Sequence, residues 1–282
     1  MDRSAPLRQE LAELLELAPE DLPDQARLVE DLGLDSLAMM RVLVWLEQRG
    51  AVVGGDRSRP ARVGDVLSLA GTAAVGGLSI RIGEGPDAAP AGATDLPAVL
   101  PAPPDPLAPV LAGHGLRLDP VTPEDTDFLY TLAVAPETSY RWRYRGVPPS
   151  FEQFAADLWK QVLVQLVARR NGGERVGHLM AYNPDSTAGN VYLGAVFVPA
   201  YAGTGLAAHA VAQFVRYLFH CFPLTKVYLE VPGYNWPQVS SGEGSLFQVE
   251  GRLRDHDYYA GRRWDRWICA VYPDHPLVDG RR

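Results

Sequence analysis

The sequence predicts an α+β protein of two domains, a small helical bundle followed by a mixed α/β unit. Three observations predict it. Apolar residues recur at helical spacing through residues 1–75. A stretch dense in proline, alanine and glycine follows over 76–114, and proline there excludes a packed helix or a central strand. From Gly115 onward, short apolar runs of strand character alternate with helical patterns. A length of 282 residues suits two domains at roughly 100–200 residues each. With 47% apolar and 21% charged residues the composition is globular rather than disordered.

The net charge of -8 sits in the bundle and the tether. Residues 1–75 hold thirteen acids against eight arginines, whereas 115–282 hold seventeen of each sign. An acidic chain is a poor phosphate-backbone binder, so no nucleic acid is expected as a partner. Two cysteines, Cys221 and Cys269, exclude a disulfide framework and fit a reducing compartment. No apolar run approaches the ~18 residues needed to span a bilayer. The opening MDRSAPLRQELAELL has acids and no long apolar core, so it does not read as a secretory signal. The expectation is a cytoplasmic protein with no membrane partner.

In the first domain, Leu7, Leu11, Leu14 and Leu15 place an amphipathic helix over 5–17. A loop leads to Leu28-Val29-Glu30-Asp31-Leu32-Gly33-Leu34-Asp35-Ser36-Leu37. Asp35 or Ser36 can cap the next helix, which runs to about Arg49 and ends at Gly50. A short helix covers 63–69. This segment resembles an acyl or peptidyl carrier protein, on the 28–37 run, Glu47 and Val63-Gly64-Asp65. The resemblance implies a four-helix carrier bundle over 1–75. It also implies that Ser36 carries a covalent 4'-phosphopantetheine, which makes the chain a phosphoprotein and requires a phosphopantetheinyl transferase. The recognition helix begins Ala38-Met39-Met40-Arg41, which suggests a partner surface of more apolar contact than fatty-acid-synthase carriers present.

The second domain, 115–282, reads as strand 116–121, helix 124–134, helix 151–160, strands 162–169, 175–183 and 191–198, helix 203–219 and strand 226–231. A glycine-broken weak helix at 239–244 and a hairpin of 253–259 with 264–272 complete it. The junction Val196-Phe197-Val198-Pro199-Ala200-Tyr201-Ala202-Gly203-Thr204-Gly205-Leu206-Ala207 delivers a strand into glycines and then a helix. Outward amides at the positive end of the helix dipole make a phosphate cradle.

This domain resembles the GNAT N-acetyltransferase superfamily, best the branch that acetylates ribosomal-protein N-termini. The resemblance rests on Leu193-Gly194, on Pro199-x-Tyr201-x-Gly203-Thr204-Gly205-Leu206-Ala207, on Asn235, and on Phe247 to Arg254 with Gly261 and Asp265. It implies a mixed α/β fold with a splayed central sheet. A pantetheine would lie along Val196, Phe197 and Val198, with Asn235 beside it and phosphate at Gly203, Thr204, Gly205, Leu206 and Ala207. The departures are informative. Ala202 stands where the family's phosphate motif begins with Arg or Gln, Tyr192 where a base carboxylate is usual, and Gly242 near the usual leaving-group tyrosine.

Acyl transfer to an amine needs a base, an oxyanion donor and an exit for the thiolate. His178, Tyr192 and Glu230 are the catalytic candidates: His178 as base or as a hydrogen-bonded sheet histidine, Tyr192 as donor or as packing, Glu230 as orienter of the amine or as a strand-end acid. His209 reads as structural. Arg141, Trp142, Arg143 and Arg145 fall where the superfamily shapes its acceptor site, and arginines among aromatics there would bind an acceptor or dock the acidic carrier. No metal site is expected.

The leading function joins the halves: an acyltransferase of antibiotic-type metabolite biosynthesis, polyketide or nonribosomal, moves an acyl group from Ser36's arm to a small-molecule amine. A separate acyl-loading enzyme is then a partner. The tether makes delivery intramolecular at roughly millimolar effective concentration. The alternatives are a GNAT-like domain loading the arm from acyl-CoA, with or without decarboxylation, and a non-catalytic carrier or docking protein.

Overall fold

A computed structural model of the chain describes residues 4–51, 60–73, 109–201 and 204–274. Near the N-terminus, α1 (Ser4–Leu15), α2 (Ser36–Gln48) and α3 (Val63–Ala73) pack around Leu11, Leu22, Leu28, Leu46, Val63 and Val66, all sealed from solvent. Asp35 starts α2: its Oδ1 accepts from the amides of Leu37 at 3.1 Å and Ala38 at 2.8 Å, donors that a helix start leaves unpaired. Gly50, at φ +82°, ends it. The expectation of four helices is met only in part. Between residues 4 and 73 the described residues hold three α-helices and a single 3-10 turn, Pro19–Asp21. Pro19 and Pro23 break any longer helix there, and backbone bonds such as Val63 N to Ala26 O at 3.0 Å tie this connection to α3.

The rest of the chain builds one eight-stranded sheet. Its strands are β1 (Ala112–Gly113), β2 (Leu116–Pro120), β3 (Val162–Arg170), β4 (Arg175–Asp185), β5 (Asn190–Phe197), β6 (Lys226–Pro232), β7 (Gln248–Tyr259) and β8 (Arg262–Val271), in the order β1-β2-β3-β4-β5-β6-β8-β7. The tether expected over 76–114 lies outside the described residues up to 108, and its end is not free, because Ala112–Gly113 is β1. Every neighbouring pair is antiparallel except β5 with β6. A parallel pair needs a crossover, here the helix α7 (Leu206–Cys221).

α7 covers one sheet face with Leu206, Ala210, Phe214 and Leu218, four residues apart and so on one side of the helix. On the opposite face lie α4 (Thr126–Val134), α5 (Pro136–Ser139) and α6 (Phe151–Asp157), with Leu129, Phe154 and Trp142 buried beneath. The weak helix expected at 239–244 is two separate 3-10 turns, Trp236–Gln238 and Ser240–Gly242. The last hairpin begins at Gln248 rather than 253. Register shifts after Val249 and Leu253 interrupt the alternation by which a strand is read.

The consequential feature is where β5 and β6 part. They pair from Asn190↔Lys226 to Leu193↔Leu229 and no further. β5 nevertheless stays on β4 through Phe197, and β6 stays on β8 through Pro232. The sheet is therefore splayed from Gly194 and Glu230 onward.

Candidate active site

The gap between the diverging ends of β5 and β6 opens into a cavity of about 750 Å³, within the range of small-molecule sites. Val198 N donates to Val176 O at 2.9 Å. By the strand's two-residue alternation, the backbone groups of Val196 then also face β4, and those of Ala195 and Phe197 face the gap. Val196, Phe197, Val198 and Asn235 all line the cavity. Asn235 Oδ1 is buried with no hydrogen-bond partner among the described residues. Such an orphan acceptor is costly unless a donor arrives. It fits an amide-bearing arm such as pantetheine.

α7 begins at one end of this gap. Gly205 forms its N-cap in the left-handed region at φ +74°, which a glycine adopts without strain. The Thr204 hydroxyl donates to Tyr201 O at 2.7 Å, Leu206 is buried, and Ala207 lines the cavity. Gly203 and Ala202 lie outside the described residues.

The helical bundle docks here. Met40 packs with Ala208 and Ala212 of α7, flanked by Leu37, Val44 and Leu246. A Cβ added at Gly205 would lie 3.0 Å from Met40 N, and one at Gly242 would collide with Leu37 Cδ1. Asp35, while capping α2, also accepts from the Ser241 hydroxyl at 2.6 Å and the Ser241 amide at 3.3 Å. His114 Nδ1 stands 2.5 Å from Glu47 Oε2 and its ring stacks on His209, centroids 4.0 Å apart. Leu37 and Met40 thereby become walls of the cavity. Ser36 opens α2 four residues before Met40.

The other end is charged. Glu230 lines the cavity; its Oε2 accepts from Arg266 Nη1 at 3.0 Å and lies 3.8 Å from Arg145 Nη2. Asp257, 7% exposed, accepts from Arg145 Nη1 at 2.7 Å and Arg266 Nε at 3.1 Å. Burial works against the charge on Arg266, but the hydrogen bond and charge of Asp257 with the charge of Glu230 hold its pKa above the usual value. Tyr182 also lines the cavity, and burial, with Glu230 adding, pushes its phenol up to about 12.

The sequence candidates part ways here. Glu230 is in the cavity. His178 is not among its lining residues: it is 2% exposed, bonded through Nε2 to Gln165 Oε1 at 2.9 Å and covered by the Trp142 ring. Burial, with the charge of Arg143 adding, lowers its pKa to about 3, so it has neither the reach nor the basicity of a general base. Tyr192 stacks on Tyr228 at 5.4 Å and meets the tilted ring of Tyr182 at 5.8 Å, outside the lining, and burial and then Glu230 raise its pKa.

Arg141, Trp142, Arg143 and Arg145 all line the cavity, but away from the docked bundle. Arg143 donates to the carbonyls of Asp157 and Leu158, Arg141 sits over the Tyr140 ring, and Arg145 holds Asp257. Docking of the bundle runs from α2 to α7, residues 240–246 and His114 instead. The sequence reading missed Leu37, Met40 and Ser241 as site residues. The apolar start of α2 was the signal that could have found the first two.

A fold with a parallel pair splayed over a glycine-capped crossover helix is that of a GNAT acetyltransferase, and a helical bundle with a serine at a helix start is that of a carrier. Residues 5–53 match the family model for a phosphopantetheine attachment site, and residues 115–239 match that for an acetyltransferase (GNAT) domain. The chain thus carries a phosphopantetheine-binding carrier domain followed by a GNAT acetyltransferase domain.

Among solved structures, it is similar to spermidine N-acetyltransferase from Vibrio cholerae in complex with CoA and spermine. That match has 20% identity and TM-score 0.51, covering 57% of this chain and 96% of that one. It is also similar to the spermidine/spermine N-acetyltransferase of the same organism with manganese ions, at 17% identity and TM-score 0.50, covering 60% and 98%. At these identities the likeness is one of fold. No curated protein matches the sequence. Among the described residues no helix is long and apolar enough to cross a membrane.

Proposed function

We propose that residues 1–75 act as an acyl carrier with 4'-phosphopantetheine on Ser36, that 76–114 tether it, and that 115–282 pass the acyl group from that arm to a small-molecule amine. The observation that carries this reading is the seating of α2 across the N-terminus of α7. Met40 backbone meets Gly205 there, in the space where a coenzyme A donor would need room for its diphosphate. A carrier-bound donor brings one phosphodiester and no nucleotide, so the missing cation at Ala202 costs it less. The gap-facing amides of Ala195 and Phe197 and the orphan Oδ1 of Asn235 suit the two amide groups of a pantetheine arm.

The arm supplies a thioester whose carbonyl carbon takes the amine nitrogen as the C–S bond breaks and the sulfur takes a proton. Glu230, held by Arg266 and Arg145, orients the incoming amine through its carboxylate. Tyr182 keeps its phenolic proton at neutral pH and donates to the carbonyl oxygen as charge builds there. Arg145 and Trp142 shape the acceptor's approach. Specialised-metabolite assembly in the cytoplasm is the setting that suits such a fusion, with a separate acyl-loading enzyme.

The test is intact-protein mass spectrometry of the full chain after treatment with a phosphopantetheinyl transferase. A pantetheine-sized gain in the wild type and none in Ser36→Ala is expected, followed by loss of a loaded acyl group to primary amines. No gain at Ser36 sinks the carrier reading. Self-loading of the holo form from free acyl-CoA, dependent on Glu230 and Tyr182, reverses the direction of transfer.

A further inference from the structure

Six charged side chains line the cavity, and the cations lead: Arg141, Arg143, Arg145 and Lys160 against Glu137 and Glu230. Most of this charge is already matched. Arg145 holds Asp257 at 2.7 Å, Lys160 holds Asp157 at 2.6 Å, and Glu230 receives Arg266 at 3.0 Å. Arg141, Arg143 and Glu137 have no ion pair among the described residues. Arg141 and Glu137 are exposed, so water serves them.

Arg143 is different, because it is half-buried. Its Nη1 donates to Leu158 O at 3.2 Å and its Nη2 to Asp157 O. Both acceptors are backbone carbonyls. The Asp157 carboxylate is engaged elsewhere, by Gln153 at 2.7 Å and by Lys160. Carbonyls fix a guanidinium in place without neutralising it, and three of its five N–H donors stay open. Its charge is felt nearby: burial first, and then Arg143, lowers the pKa of His178. A fixed, partly desolvated cation beside a cavity is completed by an anion, best a planar carboxylate.

The wall between Arg143 and Glu230 is polar and strained. Gln161, three residues past Leu158, lines the cavity with Asn183, whose amide donates to Gln161 O at 2.8 Å. Next in the chain is Tyr182, whose phenol feels the charge of Glu230. Gln161, Asn183 and Arg145 all hold positive φ, at 55°, 48° and 50°. That conformation is costly for residues other than glycine, and such strain collects at ligand sites.

We infer that the acceptor is an amine that also carries a carboxylate, an amino acid in the broad sense, with its amine at Glu230 and its carboxylate at Arg143. The inference deepens the carrier-to-amine reading above and rests on it. The acceptor's ammonium gives one proton to solvent, and its nitrogen bonds the thioester carbon as the C–S bond breaks. A second nitrogen proton ends on sulfur, and the carboxylate is unchanged. A polyamine would meet Arg143 as repulsion, and an amino-acid amide would leave its charge unanswered.

The experiment charges the full-length protein at Ser36 with acetyl- or butyryl-pantetheine, using the matching acyl-CoA and a phosphopantetheinyl transferase. Discharge is followed by intact mass with glycine, alanine, phenylalanine, β-alanine and 4-aminobutyrate, with the amide of each, and with spermidine. Rates are corrected for the fraction of free amine. At limiting concentration, at least one of the acids is expected to exceed its own amide, and spermidine, by about tenfold or more, the effect of a hydrogen-bonded charge. Arg143→Gln should cut that ratio by about tenfold, through KM rather than kcat, and Arg143→Lys should restore part of it. A residue that only held the loop would leave the ratio unmoved. Should Arg143→Gln fail to fold, the wild-type panel decides alone.

Amides or spermidine discharging the arm as fast as the acids overturn the inference and leave the carrier-to-amine reading standing. A preference that survives Arg143→Gln but falls in Arg141→Gln overturns the assignment to Arg143. An arm that no amine discharges above the rate of hydrolysis overturns both readings.

Discussion

At the end of the cavity where α2 docks, Leu37 and Met40 meet Ala208, Ala212 and Leu246, and two carboxylates reach across, Asp35 to Ser241 and Glu47 to His114. At the opposite end, Arg145 and Arg266 interleave with Glu230 and Asp257, so that each acid faces both guanidinium groups. The first contact is shallow, apolar and bridged by few polar bonds. The second is a fixed electrostatic frame. The difference suits two partners with opposite demands. A carrier must leave to be modified and recharged, so its dock has to be reversible. An acceptor amine must be held in one geometry while charge develops, and a preorganised frame meets it at no cost of reorganisation.

The largest expected effect breaks the charged end. Arg266→Leu leaves Asp257 with Arg145 alone and Glu230 with a partner at 3.8 Å. Removing one member of a buried ion cluster costs about 3–5 kcal/mol, which urea unfolding followed by tryptophan fluorescence should register. Met40→Glu, in the same assay, should leave the carrier's own transition in place, because Met40 belongs to the contact between domains rather than to the bundle core. A small effect of Arg266→Leu would mean that the frame is solvated rather than fixed.

The next effect touches both ends through pH. His178 lies under Trp142 on the acceptor face, and His209 sits in α7 behind the dock. Burial first, then neighbouring positive charge from Arg143 for one and from His114 and Arg216 for the other, lowers each pKa from 6.5 to about 3. The unfolded chain takes up both protons as pH falls below about 6.5, while the folded chain refuses them until about pH 3. Stability is therefore full above pH 6.5 and is lost progressively on acidification through that window. The slope is about 1.4 kcal/mol per pH unit for each histidine. Urea midpoints at pH 7, 6 and 5 check it, and His178→Asn should remove about half of the slope. A flat profile would show that both imidazoles reach water.

Much of this was legible in the sequence, for local reasons. The strand-to-glycine-to-helix run at 196–207 announced the splayed junction, and the 28–37 run announced a serine at a helix start. Glu230 was placed in the site by its position at a strand end. What was not legible depends on residues distant in sequence. Asp35 and Ser241 meet across 206 positions, and no periodicity encodes that. His178 was open in the sequence between a base and a hydrogen-bonded sheet histidine, and its bond to Gln165 beneath the Trp142 ring fits the second. Gly242 looked like a lost catalytic tyrosine. In the fold it makes room for Leu37, so the departure from the family pattern coincides with the dock.

The smallest effect sharpens the comparison at the carrier end. Ser241→Ala removes the hydroxyl bond to Asp35 across the dock, keeps the bond from the residue 241 amide, and leaves the α2 cap intact, since Asp35 still accepts from Leu37 and Ala38. A single exposed bond of this kind contributes about 0.5–1.5 kcal/mol, up to roughly tenfold in docking. Asp35→Ala should cost more, because it also removes the bond from the Ser241 amide and about 1 kcal/mol of capping. The rate at which an acylated arm loses its acyl group to a primary amine reads the docked fraction in both. In the double variant the two losses should not add, because one bond cannot be lost twice. Full additivity would mean that Asp35 and Ser241 do not meet in solution, and the dock would then rest on the Met40 and Leu37 contacts and on Glu47 with His114.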